Sequence, residues 1–245
     1  MSFLLTFIAG FSTMIGTILI FLKVKNINKF ICSSLAFASG VMFIVSVTDL
    51  IPESLNLLST KYNGSIIIII CLLFIILGII ISMLIDYYLP SDNFYENGKL
   101  YKVGIISMLA IILHNIPEGI ATFIAGNSDT NLAISLTIAI ALHNIPEGIC
   151  IAVPKFYATK NKFKACFFSF ISSISEPFGA FIAYLFLSNY VTDSFLGILF
   201  AIIAGIMLHI SLCELLPTSK KYNYKKMTII YFCIGSIFML LKFII

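Results

Sequence analysis

The chain alternates long apolar runs with short polar breaks. Eight runs are long enough to be helices that cross a bilayer, which takes about 20 apolar residues each. They cover roughly 3–22, 30–51, 65–86, 103–124, 132–153, 165–187, 194–217 and 227–245. The breaks are short. The longest, "YLPSDNFYENGKLYK" (88–102), is polar, and "GNSDTN" (126–131) predicts a tight turn that makes spans 4 and 5 an antiparallel hairpin. The pattern predicts an all-α integral membrane protein with one transmembrane domain over 1–245 and no soluble domain. The first run has no basic segment before it and no small-residue cleavage site, so it reads as a span and not as a signal peptide.

Composition agrees: 60% of the 245 residues are hydrophobic and 11% are charged, where a soluble domain has about a quarter charged. All fifteen basic residues are lysines. Thirteen of them follow spans 1, 3, 5 and 7, among them Lys23, Lys99, Lys155 and Lys220, and only Lys61 and Lys242 fall on the other side. The positive-inside rule makes the thirteen cytoplasmic and both termini extracytoplasmic. In a bacterial cell that is a multi-pass protein of the inner (plasma) membrane. The net charge of +4 follows from topology and gives no sign of a nucleic-acid partner. The surrounding partner is membrane lipid, and a homodimer is the candidate assembly. The six cysteines (32, 71, 150, 166, 213, 233) form no C-x-x-C. They read as small packing residues, with neither a disulfide nor a thiolate metal site.

Two repeats interrupt the oil. "LHNIPEG" occurs at 113–119 and again, unchanged, at 142–148. "GVMFIVSVTDLIPES" (40–54) aligns with "GIMLHISLCELLPTS" (205–219), with Asp49 opposite Glu214. Both pairs fall on spans of opposite direction, namely 4 with 5 and 2 with 7. Inverted repeats mark secondary transporters whose sites lie near the midplane, and the implied plan is 3 + 2 + 3.

Intramembrane carboxylates are costly and functional by default. Asp49, Glu118, Glu147, Glu176 and Glu214 all fall inside predicted spans. His114, His143 and Glu176 each lie about eleven residues into their span, ~16 Å along a ~30 Å core. His114 and Glu118 are four residues apart and share a helix face, as do His143 and Glu147. Asn115 and Asn144 point about 100° round. Pro117, Pro146 and Pro177 each free a carbonyl one turn back, which is tolerable at depth where it lines a polar cavity. Two imidazoles, three carboxylates and two amide oxygens suit a borderline divalent transition metal. The duplicated motif then builds two walls of one metal site. A lone membrane proline beside a histidine could be a mere kink, but two identical copies at matched depth argue against that. Met42 and Met207 can be packing residues or thioether ligands. His209 faces Ile44 in the repeat and is a candidate ligand without a counterpart. Glu53 and Asp86 sit at span ends where water solvates them. Gly40, Gly119, Gly148 and Gly205 read as close helix contacts.

These motifs resemble the ZIP family of divalent-metal transporters, in particular its bacterial ZupT-like branch. The resemblance covers nearly the whole chain. It implies a binuclear site of His114, Asn115 and Glu118, of His143, Asn144 and Glu147, and of Glu176 in "SISEP", with Glu118 and Glu147 bridging and Met42 able to add a thioether. One departure stands out: residues 88–102 hold no histidine, where many members carry a histidine-rich loop. The implied activity is uptake of zinc, with iron, manganese, cobalt or cadmium as further substrates; the metal is cargo and no cofactor is implied. Two competing readings remain. A cation/proton antiporter would also use midplane carboxylates, although paired histidines favour a transition metal. An intramembrane zinc hydrolase would need a metal with an open position and a general base, and H-E-x-x-H is absent. Asp49 and Glu214, near opposite ends of spans 2 and 7, read as relay groups at the two mouths, or as residues that satisfy backbone and water there. Both precede a Leu-x-Pro, where each helix is expected to end.

Overall fold

A computed structural model describes residues 1–89, 97–128, 130–187 and 192–241. Among these residues every regular element is helical. Helix α1 (Ser2–Thr17) tightens into a 3-10 turn at Ile18–Phe21. Helix α2 (Ile27–Val45) opens at Asn26, whose side chain accepts a hydrogen bond from the Lys29 N–H at 3.0 Å. That satisfies one of the free donors every helix start presents. A π turn (Ser46–Leu50) then leads into α3 (Ile51–Ser59). Next come α4 (Ser65–Tyr88), α5 (Gly98–Ser128) and α6 (Thr130–Thr159). Helix α7 (Lys162–Ile182) opens at Asn161 in the way α2 opens at Asn26. Helix α7 itself closes in a π turn at Ala183–Leu187, while α8 (Asp193–His209) passes through a second mid-span π turn (Ile210–Leu215) into α9 (Leu216–Lys220), and α10 spans Lys225–Leu240.

Among the described residues, seven helices are long and apolar enough to cross a membrane. The eighth expected span corresponds to α10, whose described part is 16 residues long; residues 242–245, with Lys242, lie outside the described residues. So do 90–96 of the expected loop and residue 129 of the expected turn.

The Leu-x-Pro signals do not end their helices. The second span runs on from Ile27 to Ser59, and the seventh from Asp193 to Lys220. Pro52 and Pro217 both fall in the first turn of the helix that follows a π turn. A proline lacks the N–H for the bond four residues back and clashes with that carbonyl. One extra residue in the preceding turn moves the carbonyl aside, and the helix continues.

Hydrocarbon gives helices no hydrophobic reason to associate, so close packing and polar contacts hold them together. Glycines supply the close approach. Gly16 of α1 faces the backbone of Ile145 and Gly148 on α6, and Gly148 faces the Thr13 carbonyl in return. Gly119 of α5 faces the Glu176 carbonyl on α7, and Gly179 of α7 faces that of Ile116. Gly40 of α2 and Gly235 of α10 meet in the same reciprocal way, as do Gly78 of α4 and Gly205 of α8. Each of these eight positions touches backbone, which cannot move aside for a side chain. Ser39 and Ser211 add a polar clasp between α2 and the second π turn, each hydroxyl donating to the other's carbonyl at 2.9 and 2.8 Å. The outer face of α4, with Ile66, Ile69, Leu73 and Ile76 all more than half exposed, is apolar as a lipid-facing surface must be.

Gly119→Leu should therefore drive a side chain into the Glu176 carbonyl and misplace the helix that bears that carboxylate. Overpacking costs about 1–3 kcal/mol or more. The expected result is a lower melting temperature in detergent and less protein in the membrane fraction. Gly104→Ala, whose nearest neighbour stands at 3.3 Å, should change either measurement much less.

Candidate metal centre

The two repeated motifs lie in mid-helix on α5 and α6, and their prolines leave both helices continuous. Because His and Glu stand four residues apart, each helix turns one imidazole and one carboxylate to the same side. The helices pack so that these sides meet. His114 Nε2 stands 3.2 Å from Glu118 Oε1 on its own helix and 3.6 Å from Glu147 Oε1 on the other. His143 Nε2 stands 3.0 Å from Glu118 Oε1. Glu118 thus reaches both imidazoles, whose ring centres are 5.8 Å apart. All four side chains are buried. His114, Glu118 and His143 can offer one donor atom each within 4.8 Å of one another.

The asparagines turn their amide nitrogens outward and their oxygens free. Asn144 Nδ2 donates to the Ala9 carbonyl of α1 and to Glu176 Oε2 of α7, both at 3.0 Å. Asn115 Nδ2 donates to the Ser172 carbonyl at 3.3 Å. Left without a hydrogen-bond partner are Asn115 Oδ1, Asn144 Oδ1, Glu118 Oε2, both Glu147 oxygens and Glu176 Oε1. All are buried acceptors. The charges of Glu118 and Glu147 both reach Glu176, so three carboxylates share one low-dielectric region. Buried acceptors normally find donors, and a concentration of unpaired ones describes a place built for a cation. Nitrogen, carboxylate and amide oxygen together fit a borderline divalent ion.

Other candidate residues are spread around this core. Met42 is fully buried on α2 and its Sδ meets Cys150 Sγ at 3.4 Å. Asp49 lies in the first π turn, where it accepts a hydrogen bond from the Thr48 hydroxyl at 3.1 Å, and its charge reaches His114. Glu214 lies in the second π turn, among the charges of Asp86, Lys99, Lys102 and Lys221. Asp86 has a partner besides water, since Lys102 Nζ stands 2.9 Å from its Oδ1. His209 is not brought to the cluster; its Nδ1 pairs with the Ser82 hydroxyl at 2.9 Å. Met207 is fully buried on α8.

Sequence reasoning missed several features. The Ala9 carbonyl that steadies Asn144 is backbone and leaves no mark in the sequence. The Met42–Cys150 contact joins residues 108 positions apart. Lys155, read as one more cytoplasmic lysine, is fully buried with its Nζ 3.3 Å from the centre of the Tyr101 ring and 3.5 Å from that of Phe168. Two aromatic faces hold the cation; both come from other helices, so the local "PKFY" segment carries no sign of them.

Comparison with known proteins identifies the family. The family described as "ZIP Zinc transporter" matches residues 91–242. A protein of Clostridium perfringens named "Zinc transporter ZupT" is 42% identical over 98% of this chain and 93% of its own length. Proteins of the same name from Chlorobaculum parvum and Streptococcus mutans are each 40% identical over 91% of this chain and 88% of their own. With both motif-bearing helices and nearly its full length aligned to these relatives, the chain belongs to the ZIP zinc transporter family.

Proposed function

We propose that this membrane protein takes divalent transition metal ions into the cytoplasm, zinc first, with iron, manganese, cobalt and cadmium as further substrates of the same site. The observation that carries the reading is the meeting of His114, Glu118, His143 and Glu147 from two copies of one motif. The family's activity is metal transport and not catalysis, so the hydrolase reading falls away. In the proposed site two ions are held by these four residues with Asn115, Asn144, Glu176 and Met42. Glu118 and Glu147 bridge them. The reach of Glu118 to both imidazoles supports that role.

The proposed architecture is eight spans in a 3 + 2 + 3 inverted repeat, in the inner membrane, with both termini outside. The glycine contacts support it. Exchanging α1 with α7 and α5 with α6 turns the Gly16–Gly148 crossing into the Gly179–Gly119 crossing. Exchanging α2 with α8 and α4 with α10 does the same for Gly40–Gly235 and Gly205–Gly78. The two mid-span π turns fall at matching places in the second and seventh spans, and each contains the acid assigned to a mouth. A widened turn directs a side chain away from the regular helical ladder. Asp49 then passes ions from the outer mouth to the site, and Glu214 passes them to the lysine-rich cytoplasmic rim.

Uptake by proteoliposomes, with competing ions and an imposed pH gradient, tests the substrate and the energy source together. Glu118→Ala and Glu147→Ala should each reduce zinc uptake to background while the protein still inserts, because each removes a ligand shared by two ions. Normal uptake by either variant rules out the bridging assignment.

The two mouths should separate in kinetics. Asp49→Asn should chiefly raise the apparent KM for zinc, because capture weakens. Glu214→Gln should chiefly lower the maximal rate, because release limits turnover. Wild-type values of both constants in both variants would make these acids structural.

A further inference from the structure

Cys150 lies three residues beyond Glu147 on α6, so the two share a helix face. The thiol is fully buried and stands 3.4 Å from the equally buried Met42 thioether of α2. The charge of Glu147 reaches the thiol, and both Glu147 oxygens are buried without a hydrogen-bond partner. The other two buried cysteines are engaged differently. Cys32 contacts the hydroxyls of Ser219 and Thr228, and Cys71 accepts from the Ser54 hydroxyl. Among the described residues, Cys150 is the buried cysteine whose neighbour is another sulfur.

We propose that Cys150 is a metal ligand: with Met42 and Glu147 it forms a soft-donor flank of the transport site that selects thiophilic divalent ions, cadmium and zinc, over manganese. This rests on the reading of Met42 and Glu147 as groups that face the transported ion. It reverses the expectation from spacing, which treated all six cysteines as packing residues. The geometry is suited to the role. Two sulfurs about 2.3 Å from one tetrahedral ion stand roughly 3.8 Å apart. The observed separation is a few tenths shorter, and the unbranched Met42 side chain has the rotatable bonds to open it. Soft sulfur donors favour ions such as Zn²⁺, whereas carboxylate and carbonyl oxygens suit Mn²⁺. Adding sulfur to a site otherwise made of nitrogen and oxygen therefore shifts its rank order. On ligation the S–H bond gives its proton to water as the sulfur–metal bond forms, with no change of oxidation state. Without an ion, the thiol donates its hydrogen to Met42 Sδ, so the sulfur pair stays satisfied.

The test uses the full chain purified in detergent and loaded with cadmium, with bound metal counted by elemental analysis. A cadmium–thiolate bond gives an ultraviolet charge-transfer band. The wild type and a variant with Cys32, Cys71, Cys166, Cys213 and Cys233 all changed to alanine should show the band. Cys150→Ser, which keeps a small hydrogen-bond donor in place, should lose it. In proteoliposomes Cys150→Ser should reduce the preference for cadmium over manganese, read as the ratio of apparent KM values, by about tenfold, the effect of about 1.4 kcal/mol. A merely structural thiol could alter the melting temperature but would give no band. Wild-type protein that binds cadmium without the band, or Cys150→Ser that keeps it, overturns this inference and leaves metal transport standing. A wild-type chain that binds no metal overturns both.

Discussion

Unpaired carboxylate oxygens in the middle of a hydrocarbon slab are the constraint on which the rest of this structure depends. Burying a charge without a partner is among the most expensive things a protein can do. Here Glu118, Glu147 and Glu176 are all buried within reach of one another's charge. Their like charges oppose assembly, and two imidazoles and two amide groups offset only part of that. A divalent cation would supply the opposite charge that makes the arrangement favourable. Because the ion is cargo, the protein must also hold these groups together when the cargo has left. The hydrogen bonds from Asn144 to Glu176 and to the Ala9 carbonyl do this, as supporting contacts do in metal sites generally.

That support requires backbone precision, and the glycine crossings provide it. Gly119, directly after Glu118 on α5, rests on the carbonyl of Glu176 itself, on α7, which bears the third carboxylate. Gly148 directly follows Glu147 and rests on α1, the helix that supplies the Ala9 carbonyl. The close packing that binds helices in lipid and the positioning of the site are thus the same contacts. A side chain at either glycine would separate two helices and also displace a ligand. Position and chemistry are coupled most tightly where the motif ends in Glu-Gly.

Much of this was legible in the sequence for physical reasons. The bilayer forces long apolar runs, so the spans are visible as composition. It also makes polar residues rare, so His114, Glu118, His143, Glu147 and Glu176 stand out against the background. Helical spacing then puts each His and Glu on one face without any knowledge of the fold. Legibility fails where the information is not local. Leu-x-Pro predicts a helix end because proline usually stops a helix, yet the π turns at Ser46–Leu50 and Ile210–Leu215 let the chain continue. A π turn has no residue signature of its own. Nor does a carbonyl used as an acceptor, such as that of Ala9.

Cysteine and lysine show a further limit, since their roles depend on what a distant helix brings to them. Cys150 in an apolar run is indistinguishable from Cys32 or Cys71 until α2 places a thioether beside it. Lys155 counts as one of thirteen cytoplasmic charges until Tyr101 and Phe168 enclose it. Both sit on α6, C-terminal to Glu147, at the end of the bundle where α5 and α7 begin. The stretch from Glu147 to Lys155 therefore passes from hard donors through a soft pair to a cation held between aromatic rings.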